Sequence, residues 1–314
     1  MCSVMQSLQT LSFFKQHLIV AVEEITSGLS QRSFKVSCDN HQCFYAKYFN
    51  DDNSEYAQIE KEVLQNSTST EITMPLLYSD QQWIITPFIQ ANDLSEIELP
   101  ITNKLYIALD LMLTFQQIKI QSVNIKPISF IAHGDFYVRS LALNEQQQHI
   151  LRSLLSDDES IKPESVVLCH GDLNFTNMLY DLRLNDNLSQ PNANIIDFEC
   201  CCYAEVEYEI AMLIAVNNLF NYAPIETIIT DIKDYLHNKN MIISANKVMR
   251  YLFKSLLLNA LWYLCRFHKT NDTKWEFLAQ QQFQQADVFT KNQQKLASVF
   301  QCNTSTSNNT LLSK

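Results

Sequence analysis

Asp172 and Asn177 stand five residues apart in His170-Gly171-Asp172-Leu173-Asn174-Phe175-Thr176-Asn177, and another acid opens the stretch Asp197-Phe198-Glu199. These side chains form a kit for phosphoryl transfer from ATP. One carboxylate takes the proton of the attacking hydroxyl, while an amide and a second carboxylate hold Mg²⁺ on the phosphates. Such groups need rigid elements to position them. The apolar run Val166-Val167-Leu168-Cys169 reads as a short buried strand feeding the first loop. A second run, Ala193-Asn194-Ile195-Ile196, reads as the strand that ends at Asp197.

The spacing follows the protein-kinase catalytic loop, where H-R-D is followed by Asn five residues after the Asp, and the next strand leads to D-F-G. Here Gly171 replaces the Arg and Glu199 the Gly. In that form the chain resembles the aminoglycoside phosphotransferase and choline kinase family, whose loop reads H-[GN]-D-x-x-x-x-N before a D-[FW]-[EG] strand. The choline and thiamine kinase pattern D-[FW]-E-Y-A-G, then [DE]-[IL]-A, continues as Asp197-Phe198-Glu199-Cys200-Cys201-Cys202 and Glu209-Ile210-Ala211, with cysteines in place of Tyr-Ala-Gly. The likeness spans roughly residues 20–285.

The resemblance implies an α+β, two-lobed protein-kinase-like fold. A small N-terminal β-sheet lobe is expected over residues 1–90, a larger, mainly helical catalytic and substrate lobe over 91–300, and a disordered tail over 301–314. ATP and Mg²⁺ are the implied cofactors, and a small hydroxylated, cationic metabolite of the thiamine, choline or ethanolamine type is the implied acceptor. Aminoglycosides, other amino alcohols or sugars, and a catalytically silent nucleotide-binding role are the alternatives. Asp172 is expected to act as the base, with Asn177 and Asp197 as metal ligands. Lys47, in the alternating strand Phe44-Tyr45-Ala46-Lys47-Tyr48, is expected to grip the phosphates. Glu60 matches the family's R-E-x-x-[VI]-L pattern and would brace Lys47, and Glu62 competes for that pairing. Ser27, Gly28 and Ser30 match the S-G-L-S loop of thiamine and choline kinase-like members, which would cover phosphates. Glu199 and Trp262 are the expected substrate-facing residues. Asn259 stands where choline kinases often carry a second Trp, and Phe115 where many relatives carry a His. Glu209 is expected to cap or brace the catalytic loop.

Size and composition bound the rest. A chain of 314 residues with 46% hydrophobic content has enough apolar surface for a large core, and two lobes are the natural expectation. A formal net charge of -11 excludes a general nucleic-acid binder, which needs a basic surface. It suits a cationic substrate. No apolar run approaches the ~18 residues of a membrane span. The segment Met1 to Phe14 lacks basic residues ahead of its apolar positions, so no signal peptide and a cytoplasmic location are expected. Nine cysteines in so long a chain do not read as a disulfide framework, and the adjacent Cys200-Cys201-Cys202 lacks zinc-site spacing.

Along the chain, periodicity predicts a lead-in helix over residues 1–20 and strands over 21–26, 33–38 and 43–49, with a hairpin turn at 39–42. A helix follows from Ser54, then a strand from Gln82 to Phe88. Pro87 marks an edge or strand end, consistent with a linker, and the resemblance implies an inter-lobe hinge at 89–93. Helices are expected over 106–117, 144–156, 207–220, 247–266 and 275–283. His133-Gly134-Asp135 repeats the catalytic letters but has Ser140 five residues on. It reads as a loop or helix cap. The polar stretch 181–192 reads as a hairpin tip.

Overall fold

The computed structural model describes residues 2–26, 31–50, 54–67, 70–156, 165–180, 193–289 and 296–300. Ser27, Gly28 and Ser30, the stretch 181–192 and the tail 301–314 lie outside the described residues. In chain order the first elements are α1 (Cys2–Thr10), a 3₁₀ turn (Ser12–Gln16), β1 (Ile19–Ile25), β2 (Arg32–Cys38), β3 (Cys43–Tyr48) and α2 (Ser54–Asn66). Next come β4 (Tyr78–Ser79), β5 (Trp83–Pro87), β6 (Asn92–Asp93), α3 (Ile101–Phe115), α4 (Phe130–Ser140) and α5 (Glu145–Leu155). The catalytic segment supplies β7 (Val167–Cys169), β8 (Met178–Tyr180), β9 (Ala193–Ile195) and β10 (Cys202–Ala204). The chain continues through α6 (Val206–Val216), α7 (Ile225–His237), α8 (Ala245–Thr270), α9 (Thr273–Asp287) and α10 (Leu296–Phe300). No helix among the described residues is long and apolar enough to cross a membrane.

Two compact units emerge. The first comprises residues 1–127, 165–209 and 231–242. Its main sheet is antiparallel, in the order β1-β2-β3-β5-β4. Alternation in β2 and β3 sends Phe34, Val36, Phe44 and Ala46 inward. α1 and the following 3₁₀ turn lay Leu8, Leu11 and Phe14 against this core, with Ile19, Trp83 and Ile85. The expected lead-in helix is thus broken after Thr10, and Ile19 already belongs to β1. The turn between β2 and β3 uses a left-handed His41 (φ 63°), closed by the Cys38 N–H donating to the Gln42 carbonyl at 2.9 Å. Pro87 ends β5, where it forfeits no ladder bond beyond the strand. Two smaller sheets, β6-β8-β9 and β10-β7, carry the catalytic segment.

The second unit comprises residues 128–164, 210–230 and 243–314 and is helical throughout its described part. α5 starts on a capping box in which Asn144 and Gln147 satisfy each other's backbone N–H groups. His133-Gly134-Asp135 lies inside α4 rather than in a loop or at a cap, and Ser129 caps that helix. The letters serve packing there. A Cβ on Gly134 would sit 2.6 Å from the Leu155 side chain, and Asp135 accepts from Arg152 at 3.0 Å. α8 and α9 form an antiparallel hairpin, reversed at a left-handed Asn271 (φ 54°).

Candidate active site

All of the catalytic-loop residues, together with Lys47 and Glu60, fall in the first unit. β7 is fixed by antiparallel pairing with β10, Cys169 opposite Cys202 and Leu168 opposite Tyr203. The chain then enters the loop through His170, which has no exposed surface. Its Nε2–H donates to the Ile196 carbonyl at 3.0 Å, so its Nδ1 is the acceptor for the Asp172 N–H at 3.3 Å. Burial drives its pKa down to about 4, and the ring is neutral at physiological pH. Phe115 and Phe198 stack on each other at 5.7 Å and present edges to the imidazole at 5.8 and 5.4 Å. The Phe115 departure therefore gives the loop an apolar wall.

Gly171 adopts φ +77°, the left-handed region in which side chains are strained. A Cβ there would also lie 2.3 Å from the Cys200 carbonyl oxygen. The Gly171 N–H donates to both carboxylate oxygens of the fully buried Glu209, at 3.2 and 3.3 Å. Burial pushes the Glu209 pKa up to about 7, against the opposing pull of bonds from Cys169 and the Gly171 and His170 backbone. α6 thus delivers one acid that braces the loop from behind.

Asn174 starts a 3₁₀ turn (Phe175–Asn177) by accepting from the Thr176 N–H. That turn swings Asn177 back, so its Nδ2 donates to the Asp172 carbonyl at 2.9 Å and to Asp172 Oδ2 at 3.1 Å. The amide oxygen, the atom able to ligate a metal, stays outside these bonds. Burial, then the nearby Asp197 charge, raise the Asp172 pKa to about 7. The hairpin of β8 and β9 (Met178 opposite Ile195) returns the chain, and the Ile196 N–H bonds the Asn177 carbonyl at 3.0 Å. Asp197 follows with φ 69°, a left-handed conformation that Asp tolerates better than most residues.

Lys47 projects from β3 and is only 2% exposed. Its ammonium meets Glu60 at 2.5 Å, Asp197 at 2.5 Å and Glu199 at 3.2 Å. An ammonium has three donors, and three carboxylates surround it. Burial alone would depress the Lys47 pKa, but the charges of Asp197, Glu60 and Glu199 outweigh it and hold the pKa well above the ordinary value. Burial likewise pushes Glu60 up, with Lys47 opposing. Of the two candidates on α2, Glu60 is the one that reaches Lys47. Glu199 lies in the same acid cluster. Oxygens of Glu60, Asp197 and Glu199 all lie within 4.8 Å of one another. An all-oxygen donor set of this kind fits a hard cation such as Mg²⁺.

Trp262 lies in the second unit. Its ring packs edge-on against Trp275 at 5.8 Å and near Tyr263 at 5.3 Å, and the Arg266 guanidinium sits 5.7 Å from its centroid. Asn259, one turn back on α8, leaves its Nδ2 buried and unpartnered.

The Asp–Asn loop, the strand-borne Lys and its helix-borne Glu define a phosphotransferase of the kinase-like α+β class. The chain belongs to the phosphotransferase enzyme family, whose profile matches residues 21–238. No curated protein sequence matches it. The fold is similar to that of an ethanolamine kinase from Plasmodium vivax (16% identity over 86% of this chain and 83% of that one, TM-score 0.64). It is also similar to a choline kinase from Streptococcus pneumoniae (13% identity, 91% of this chain and 100% of that one, TM-score 0.68). A macrolide 2'-phosphotransferase from Brachybacterium faecium aligns at 13% identity over 87% of this chain and 96% of that one, TM-score 0.57. At such identities the likeness is one of fold.

Proposed function

We propose that this protein is an ATP-dependent, cytoplasmic small-molecule kinase. It would move the γ-phosphoryl group to a hydroxyl of a small cationic metabolite of the thiamine, choline or ethanolamine type. The observation that carries this reading is Lys47 held by Glu60, Asp197 and Glu199 in the same unit as the Asp172–Asn177 pair. Asp197 and Asn177 would hold Mg²⁺, with Glu199 beside them. When bound, the ion neutralises charge on the transferred group. Lys47 positions the phosphates and Glu60 keeps its ammonium aimed. Asp172 orients the acceptor hydroxyl and receives its proton at Oδ1 or Oδ2. A pKa of about 7 matches such a base to neutral pH. His170, neutral and bonded to backbone on both sides, shapes the loop and takes no proton in the reaction.

The net charge of -11 supports a cationic acceptor. So do the activities for which the choline and ethanolamine kinases sharing the fold are named. An aminoglycoside, another amino alcohol or a sugar is the second reading. The presence of every catalytic-type side chain speaks against a silent nucleotide-binding role. The test is label transfer from γ-labelled ATP, with Mg²⁺, to a panel of ethanolamine, choline, thiamine and aminoglycosides. Transfer to one small cation is expected. Mg·ATP that neither binds nor donates to any acceptor overturns the reading.

A further inference from the structure

Glu62, the acid that does not reach Lys47, has its own partners. From α2 its Oε1 accepts from Gln58 Nε2 at 2.8 Å and from Asn124 Nδ2 at 2.5 Å. Its Oε2 accepts from the Ser122 hydroxyl. Ser122 Oγ in turn accepts from the N–H groups of Asn124 and Ile125 at 2.9 and 3.1 Å, which fixes that turn. The same segment, residues 117–127, is tied to β10. The Tyr203 hydroxyl donates to the Ile120 carbonyl at 2.6 Å, the Tyr203 N–H donates to the Lys126 carbonyl at 3.0 Å, and Pro127 bridges to Tyr203.

Thus one strap grips α2, which carries one acid of the cluster, and the strand that follows the turn carrying the other two. α2 bears Glu60, two residues before Glu62, and β10 begins three residues after Glu199. Three carboxylates within 4.8 Å of one another share one ammonium, so their repulsion pushes α2 away from the Phe198–Cys200 turn. A contact outside the cluster adds to the Lys47 bridge, and to the packing of α2 on that turn, in opposing the push. Glu62 with Ser122 and Asn124 supplies it. We propose that Glu62 is a positioning residue of the phosphotransfer site, anchoring α2 to the 117–127 strap so that Glu60, Asp197 and Glu199 stay assembled around Lys47 before metal and nucleotide bind. The metal consequence rests on the proposed function; the anchoring itself does not.

Two measurements on the full chain separate these parts. Hydrogen exchange of the nucleotide-free protein tests the anchor. Glu62→Ala should speed exchange about tenfold or more at α2 amides and at 122–127, with the five-stranded sheet unchanged. If that variant does not fold, Asn124→Ala, which removes one of the bonds, should give the same pattern at smaller size. Unchanged α2 exchange in a folded variant overturns the proposal. Calorimetric titration with Mg·ADP tests the consequence, with about tenfold weaker affinity expected in Glu62→Ala and recovery at high Mg²⁺. A loss of thermal stability with wild-type Mg·ADP affinity would mark Glu62 as merely structural and also overturn it. A wild-type protein that binds no Mg·ADP sinks the kinase reading instead, and leaves the exchange result to decide on the anchor.

Discussion

Replacing Gly171 by alanine perturbs the site without touching any ionisable group. Two costs add there. The left-handed backbone (φ +77°) costs an L-residue about 1–2 kcal/mol. The new Cβ would sit 2.3 Å from the Cys200 carbonyl oxygen, so the loop and the Phe198–Cys200 turn must part by about 0.7 Å, at an overpacking cost of ~1–3 kcal/mol. The total, about 3 kcal/mol, lowers the melting temperature by several degrees. The displaced residue is the neighbour of Asp172, and a misplacement of ~1 Å near reacting atoms costs roughly 100-fold in rate. The assay is paired: kcat with the acceptor found by the panel, and calorimetric melting. A second variant, Gly171→Asn, discriminates the two costs, because asparagine accepts positive φ but brings the same Cβ. An alanine variant with native kcat and native melting would refute the reasoning. An asparagine variant with native values would show that the contact with Cys200 is harmless and only the dihedral matters.

Asp172→Asn is expected to lower kcat by roughly 10²–10⁴-fold while Mg·ATP still binds, as measured by steady-state kinetics and titration calorimetry. Asp197→Asn should abolish metal-dependent nucleotide affinity, and an unchanged Mg·ATP titration would remove it from the metal set. Glu209 gives a pH signature. Its folded pKa of about 7 exceeds the ordinary 4.5, so between those values the folded state keeps a proton that the unfolded chain has released. Its contribution is greatest below pH ~4.5 and declines as pH rises to about 7. Glu209→Gln deletes that slope. The variant should gain on the wild type by on the order of 3 kcal/mol between pH 5 and 8 in urea unfolding, and equal slopes for the two proteins would contradict it.

The site is legible in the sequence because its polar groups sit in short local motifs. The five-residue spacing from Asp172 to Asn177 and the alternation around Lys47 show in the letters because a tight loop and a half-buried strand each impose a fixed period. β4, β6 and β10 are two or three residues long, too short for any periodicity to register. β10 matters most among these, since it pairs with β7 beneath the loop. α7 is absent from the sequence reading, although Ile228, Ile229, Ile232 and Leu236 line one buried face of it. The family pattern picks Glu60 over Glu62 as the partner of Lys47, as the structure has it; helical periodicity alone does not, because both lie on α2 and only the distant partners Lys47 and Asn124 tell them apart. Ser140 sets His133-Gly134-Asp135 apart from the catalytic loop, but its place inside a helix does not show, because the same three letters can fill a helix wherever a neighbouring helix needs a small residue to approach.

The family profile begins at residue 21, yet the sheet's apolar floor is completed by residues that precede it. Leu8, Leu11 and Phe14 are each no more than 9% exposed, and each side chain is worth ~1.5–3 kcal/mol of burial. A gene trimmed to the matched segment would leave Phe44 and Trp83 facing water on a bare β-surface, and its product should collect in inclusion bodies. For anyone expressing this enzyme, the starting codon of a shortened version therefore belongs ahead of α1, not at the profile's edge.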